Sequence, residues 1–364
     1  MSSTQMPQAG SHDAARPGMP ARRKRGASMG DVARLAQVSS QTVSRVSNGI
    51  TNVAPETRQR VLAAMAELGY RPNSAARALK RGEFRTLGVI TVTLSTVGNA
   101  RTLEAISDSA AEQGYAVTLM PVAVPTRDQV QGAFTRLGEL TVDAIVLMME
   151  GHLLDVDVSL PRNVPVVVAD ADVGEQFMIV GSAHEHGARA AVEHLLGLGH
   201  RTVWHVAGPD DAYAAKAREA GWSAALREAG ARVPPVLRGE WSADITGGWS
   251  AESGYRAGRL LAGEPHCTAV FAANDQMALG LYRALQERGL RVPQDVSVVG
   301  FDDIPEAAMY PPPLTTVRQD FDEIGRRCVA VALHQIAAQS PEAGRTSVDT
   351  VLVPRASTAP PRDR

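Results

Sequence analysis

The chain has 364 residues, enough for two or three domains of about 150 residues whose cores need no disulfide or metal staple. With 44% hydrophobic and 21% charged residues, two cysteines (Cys267 and Cys328) and no run of 18 apolar residues, the composition excludes a disordered chain, a disulfide framework, a four-cysteine zinc site and a membrane-spanning helix. The net charge of −2 conceals a split: residues 1–83 carry 13 Lys/Arg against 5 Asp/Glu and the remainder 24 against 34, so a small basic head suited to a polyanion precedes an acidic body.

Residues 1–27 are rich in Ser, Pro, Gly, Gln and Ala, end in the run Arg22-Arg23-Lys24-Arg25, and read as a disordered basic tail without the apolar segment of a secretory signal. From Ser28 helical signals begin. Ser28 and Asp31 form a capping box, and Val32, Leu35 and Ala36 repeat at i, i+3, i+4. Ser39 caps a second helix with Val43 and Val46 inward, and Asn48-Gly49 ends it. A third helix starts at Pro55 after the poor capping residue Ala54 and runs through Val61, Leu62, Met65 and Leu68 to Gly69. Three short helices, the first two joined by a tight turn, predict a helix-turn-helix unit over 28–72. A short helix capped by Asn73 and a linker occupy 73–83.

The body, 84–358, alternates apolar runs with amphipathic segments. Strands are expected at 87–90, 116–120, 144–148, 166–169, 203–206, 269–272 and 296–299. Helices are expected near 103–112, 127–138, 184–197, 214–229, 248–262, 275–288 and 320–337. This is a doubly wound α/β pattern with more strands than one compact sheet needs, so two subdomains with a cleft between them are expected. Residues 359–364 form a tail.

The second helix carries the first chemistry. Its positions 40, 41, 44 and 45 are polar and outward; Gln41 suits adenine and Arg45 guanine in a major groove, while Ser and Thr hydroxyls suit phosphates. In the body, ligands of open α/β sheets sit beyond the carboxyl ends of strands. Asp170, Asn274, Asp275 and Asp302 end strands there, with Asp275 suited to helix capping, and Arg218 starts a helix. Carboxylate, amide and guanidinium at such places suit vicinal hydroxyls. Enzyme motifs are absent: no dinucleotide fingerprint, no phosphate-binding loop and no nucleophile elbow. His184-Glu185-His186 lacks the spacing of a helical zinc pair and reads as a polar first helical turn, so no metal or cofactor is expected.

Gly30-Asp31-Val32-Ala33-Arg34-Leu35-Ala36-Gln37-Val38-Ser39-Ser40-Gln41-Thr42-Val43-Ser44-Arg45-Val46, Glu67-Leu68-Gly69-Tyr70-Arg71-Pro72-Asn73 and Ala75-Ala76-Arg77-Ala78-Leu79 resemble the head and hinge of the lactose-repressor/galactose-repressor family of bacterial transcription factors. In the body, Ala273-Asn274-Asp275-Gln276-Met277-Ala278-Leu279-Gly280, Val299-Gly300-Phe301-Asp302-Asp303 and Pro312-Pro313-Leu314-Thr315-Thr316-Val317 continue the likeness, which spans Ser28 to Ser357. The resemblance implies a head that binds double-stranded operator DNA and a periplasmic-binding-protein-like body that binds an effector. It implies DNA contacts by Ser39, Ser40, Gln41, Thr42, Ser44, Arg45, Asn48 and Asn73, with Leu79 wedged into the minor groove. It implies effector contacts by Asp170, Arg218, Asn274 and Asp302, with Trp241 and Phe321 as aromatic walls. The subdomains are expected at about 84–182 with 321–341, and 183–320 with 342–358.

The expected function is a cytoplasmic repressor, a homodimer on a palindromic operator, released by a small carbohydrate such as a β-galactoside or plant oligosaccharide. Rival readings are a solute-binding protein, a sugar-active enzyme, and a regulator that needs a non-sugar co-repressor. The terminal Arg355–Arg364 segment holds two prolines and no apolar heptad, which favours a dimer over a coiled-coil tetramer.

Overall fold

A computed structural model describes residues 27–50, 52–70, 83–122, 126–148, 164–171, 176–238 and 248–362. Contacts divide the chain into two units, Met1–Lys80 and Arg81–Arg364. The expected tail 1–27 up to residue 26, the hinge with Asn73 and Leu79 through residue 82, and Trp241 lie outside the described residues.

The head contains α1 (Met29–Leu35), α2 (Ser40–Ser47) and α3 (Pro55–Glu67). Ser28 and Asp31 form the reciprocal capping box: the Asp31 amide donates to Ser28 Oγ at 3.2 Å and the Ser28 amide to the Asp31 carboxylate at 2.9 Å. Ser39 Oγ accepts from the Thr42 amide, whereas Ala54 offers α3 no side-chain cap. The core is Val32, Ala33, Ala36, Val43, Val46, Val61, Ala64 and Met65. Leu35 and Leu62, expected inward, are instead exposed. Each lies about 100° off the narrow stripe that three short helices bury, and Ala33 and Ala64 fill the inward places.

In the body, strands β1 (Thr86–Thr91), β2 (Ala116–Pro121), β3 (Ala144–Met148), β4 (Val166–Ala169), β5 (Met178–Ser182) and β11 (Gly344–Val348) form a parallel sheet in the order β11-β5-β4-β3-β1-β2. Strands β6 (Trp204–Ala207), β7 (Leu237–Arg238), β8 (Ala269–Ala272), β9 (Ser297–Asp302), β10 (Thr315–Gln319) and β12 (Thr350–Val353) form the second, in the order β12-β10-β9-β8-β6-β7, with only β12 antiparallel to its neighbour. Helices α4 (Val97–Glu112), α5 (Arg127–Glu139) and α10 (Phe321–Ala338) accompany the first sheet, and α6 (His184–Gly197), α7 (Tyr213–Glu228), α8 (Ala251–Leu261) and α9 (Asp275–Glu287) the second. No helix among the described residues is long and apolar enough to cross a membrane.

The seven expected strands are present, and five others were not legible: β5 and β11 carry Gly and Ser, β10 reads Thr-Thr-Val-Arg-Gln, β7 has two residues, and β12 is short. Two expected boundaries change. Gly344–Val348 pairs with β5, so residues 342–348 join the first subdomain and the crossing to the second falls at Asp349. The expected tail at 359 is held in place, because the buried Ser297 hydroxyl needs partners and finds the Ala359 amide and carbonyl, both at 3.0 Å. The chain passes between subdomains at 182–184, 319–321 and 348–350, and two of these crossings are tied where the Ala183 amide donates to the Val348 carbonyl at 2.9 Å.

Candidate functional site

On the head, α2 separates its polar residues by task. Ser39 Oγ and Thr42 are occupied by the cap, 3.0 Å between their hydroxyls, and Ser44 Oγ accepts from Asn48 Nδ2 at 3.3 Å. Ser40, Gln41 and Arg45 are exposed, and their side chains make no hydrogen bond among the described residues. Gln41 and Arg45 are one turn apart and therefore share a face. Val43 and Val46 anchor the opposite face in the core, so the helix is presented with its long polar side chains outward.

In the body, one cavity lies between the carboxyl ends of the two sheets. Its lining includes Asp170, Arg218, Asn274, Asp302 and Phe321, all expected, together with Trp249 and Gln319. Asp170 follows β4 with φ 55°, and Asp302 ends β9 with φ 111°, left-handed conformations that Asp tolerates better than most residues. Asp170 Oδ1 accepts from the Ser182 amide at 3.1 Å and lies 2.8 Å from His184 Nε2. Arg218 is buried; its Nε donates to His184 Nδ1 at 3.3 Å, its Nη1 to the Ala273 carbonyl, and its Nη2 lies 3.5 Å from Asp302 Oδ1. The guanidinium stacks on Phe301 at 3.9 Å and lies 5.2 Å from the Trp249 ring. Gln319 Nε2 donates to Asp302 at 2.6 Å, and Gln319 Oε1 is buried without a donor. On the first subdomain, Thr96 caps α4, Asn99 Nδ2 donates to the Thr93 carbonyl at 3.0 Å, and Thr102 faces the same space.

The two carboxyls differ. Burial pushes Asp302 up to about 6 although Arg218 and Gln319 oppose it. Burial also raises Asp170, but His184, the Ser182 amide and Arg218 outweigh it and hold the group below its ordinary range. The capping duty expected of Asp275 falls to Asn274, which also lines the cavity. Asn274 caps α9, accepting from the Met277 amide at 2.7 Å and donating to the Trp249 carbonyl at 3.1 Å. Asp275 is buried, accepts from Thr316 Oγ1 at 2.5 Å and the Ile304 amide at 2.9 Å, and is raised well above its ordinary range by burial. Gly300 makes room for it, since a Cβ there would stand 2.2 Å from Asp275 Oδ1.

Sequence reasoning missed Trp249, although Trp-Ser-Ala occurs twice, at 241–243 and 249–251. The useful signal is that Ser250 caps α8, which fixes Trp249 just outside a helix start at the cavity. His184, which the sequence places in a polar first helical turn, is fully buried instead.

A helix-turn-helix head joined to a two-sheet body with a ligand cavity between its sheets defines a DNA-binding regulator of periplasmic-binding-protein type. Residues 28–73 match the bacterial regulatory proteins of the lacI family, and residues 192–358 match the periplasmic binding protein-like domain. The chain is 35% identical to the lactose operon repressor of Escherichia coli (strain K12), over 91% of this chain and 92% of that one. It is 34% identical to the transcriptional repressor PurR of Erwinia tasmaniensis, over 92% and 97%. Among solved structures, a lac repressor dimer bound to operator and the anti-inducer ONPF superposes with a TM-score of 0.83, at 34% identity, covering 92% of this chain and all of that one. A CelR–cellobiose complex gives 0.65 at 30%, covering 91% and 99%. The chain belongs to the lacI family of bacterial regulatory proteins and is a DNA-binding transcriptional repressor.

Proposed function

We propose that the protein binds a palindromic operator in the cytoplasm as a homodimer and is released from it by an uncharged carbohydrate. The observation that carries the effector class is the state of Arg218. Among the described residues it is the only cation lining the cavity, and its guanidinium is engaged by His184, Ala273 and Asp302. A phosphorylated or carboxylated ligand would meet Asp170 and Asp302 with no cation to spare. Neutral hydroxyls donate to those carboxyls, and the apolar face of a sugar ring packs on Trp249 and Phe321. The lac repressor and CelR–cellobiose likenesses support the same class. Asp170, Arg218, Asn274, Asp302, Trp249 and Phe321 are the effector contacts in this reading. Ser40, Gln41 and Arg45 read the operator, whereas Ser39 and Thr42 shape the helix that carries them.

Calorimetric titration of the full chain with neutral mono- and disaccharides, sugar phosphates and purines tests the effector, and release from a selected operator tests the coupling. Binding of a neutral sugar with loss of DNA affinity is expected, since the ligand must favour one of two states. Binding of only purines or phosphorylated sugars would overturn the carbohydrate assignment.

A further inference from the structure

Asp170 and Arg218 belong to different subdomains: Asp170 follows β4 of the first sheet, and Arg218 lies on α7 beside the second. His184, the first residue of α6 at a crossing between the subdomains, stands between them with 0% of its side chain exposed. Its Nε2 is 2.8 Å from Asp170 Oδ1 and its Nδ1 is 3.3 Å from Arg218 Nε. A guanidinium nitrogen only donates, so Nδ1 must be the unprotonated, accepting nitrogen. The ring's single proton then sits on Nε2 and is given to Asp170. Tyr213 meets the ring edge-on and Phe301 at a tilt, both with centroids at 5.9 Å, which fixes its plane. The charged groups facing it are Asp170 from the end of β4, Arg218 from α7 and Arg345 from β11; burial and the two cations oppose a second proton and outweigh Asp170.

We propose that His184 is a positioning residue of the effector site, a neutral imidazole that ties the Asp170 carboxylate of one subdomain to the Arg218 guanidinium of the other, so that both meet a ligand in one fixed arrangement. The proposal rests on reading the cavity as the effector site. Asp170 Oδ1 is spent on His184 and the Ser182 amide, which leaves Oδ2 to take a ligand hydroxyl. Without the imidazole, the buried Arg218 Nε would lose this acceptor, and Asp170 would lose the partner that sets its rotamer.

Two measurements on the full chain decide it. Nitrogen-15 spectra of histidine-labelled protein, with His184 identified by difference from His184→Gln, should show a neutral Nε2–H ring across about pH 6 to 8. An Nδ1–H tautomer, or a midpoint inside that range, overturns the linkage. Calorimetry with galactose, glucose, lactose and cellobiose gives the second readout. His184→Leu should weaken the tightest of these by about tenfold or more, while His184→Gln, which keeps one donor and one acceptor, stays within about threefold. No loss in the Leu variant, or equal loss in both, overturns the positioning role. If none of the four sugars binds the unaltered chain, the carbohydrate reading fails, and the tautomer alone decides whether His184 links the two groups.

Discussion

Arg45 and Asp302 show how differently single side chains act in the two units. Arg45 is exposed on α2 one turn from Gln41, and among the described residues its guanidinium makes no hydrogen bond or ion pair within the head. Arg45→Ala should therefore leave folding unchanged, cost roughly 1–3 kcal/mol of operator affinity, and relax specificity at one position per half-site. Selection from random DNA followed by competition binding measures both effects; uniform weakening across all sequences would make Arg45 a phosphate contact instead. Asp302 is a property of burial. Its folded value of about 6 exceeds the unfolded 3.8, so between these values the native state holds a proton that the unfolded chain has released. Its contribution to stability falls as pH rises through that window and is constant above it. Asp170, held low, acts with the opposite sign and loses its contribution only as acid protonates it. Asp302→Asn should thus gain on the parent by about 2–3 kcal/mol between pH 4 and 7. Denaturant melts at a series of pH values give that difference, and a flat difference would mean that water reaches the carboxyl.

Helix pairs in the second subdomain are set by glycines that let backbones touch. A Cβ at Gly280 of α9 would stand 1.8 Å from the Ala251 carbonyl oxygen of α8, and one at Gly254 of α8 would stand 2.0 Å from the Met277 carbonyl oxygen of α9. The pair is reciprocal, so neither helix can retreat without opening the core formed by Leu281, Leu285 and Val270. Gly280→Ala should cost about 3 kcal/mol and lower Tm by several degrees. Gly197→Ala, at a helical position with open space around it, should be neutral or slightly stabilising. Equal melting temperatures for the two variants would refute the close-packed reading.

For the whole molecule, the palindromic reading needs two heads, and a twofold axis supplies them. Leu279 on α9 is 45% exposed and Met309 is 79% exposed. Leu279 is three residues from the buried Tyr282 and Met309 one from the buried Tyr310, whose rings meet edge-on at 5.7 Å, and these two exposed apolar side chains are the ones offered to a second copy. Light scattering should give twice 38.6 kDa for the parent chain, and Leu279→Arg should shift it toward the monomer with loss of operator affinity. A mass near four times that value would overturn the dimer.

Local chemistry was enough to read the head. Caps at Ser28 and Ser39, proline at the start of α3 and inward valines are each decided within a few residues, so three helices and their outward Gln41 and Arg45 follow from spacing. The apolar runs of seven strands, and the carboxylates that end β4 and β9, were legible for the same reason. Tertiary structure alone decided which of two Trp-Ser-Ala segments lines the cavity, that Asn274 rather than Asp275 caps α9, that Gly344–Val348 returns to the first sheet, and that His184 is buried between Asp170 and Arg218. Apart from the Asn274 cap, which the Met277 amide closes three residues on, these depend on distant partners, 14 residues away in the His184–Asp170 pair and 166 in the Gly344–Met178 pairing. A histidine in a helix's first turn carries no local mark of burial; only the carboxylate and guanidinium brought to its two nitrogens fix its proton and its place.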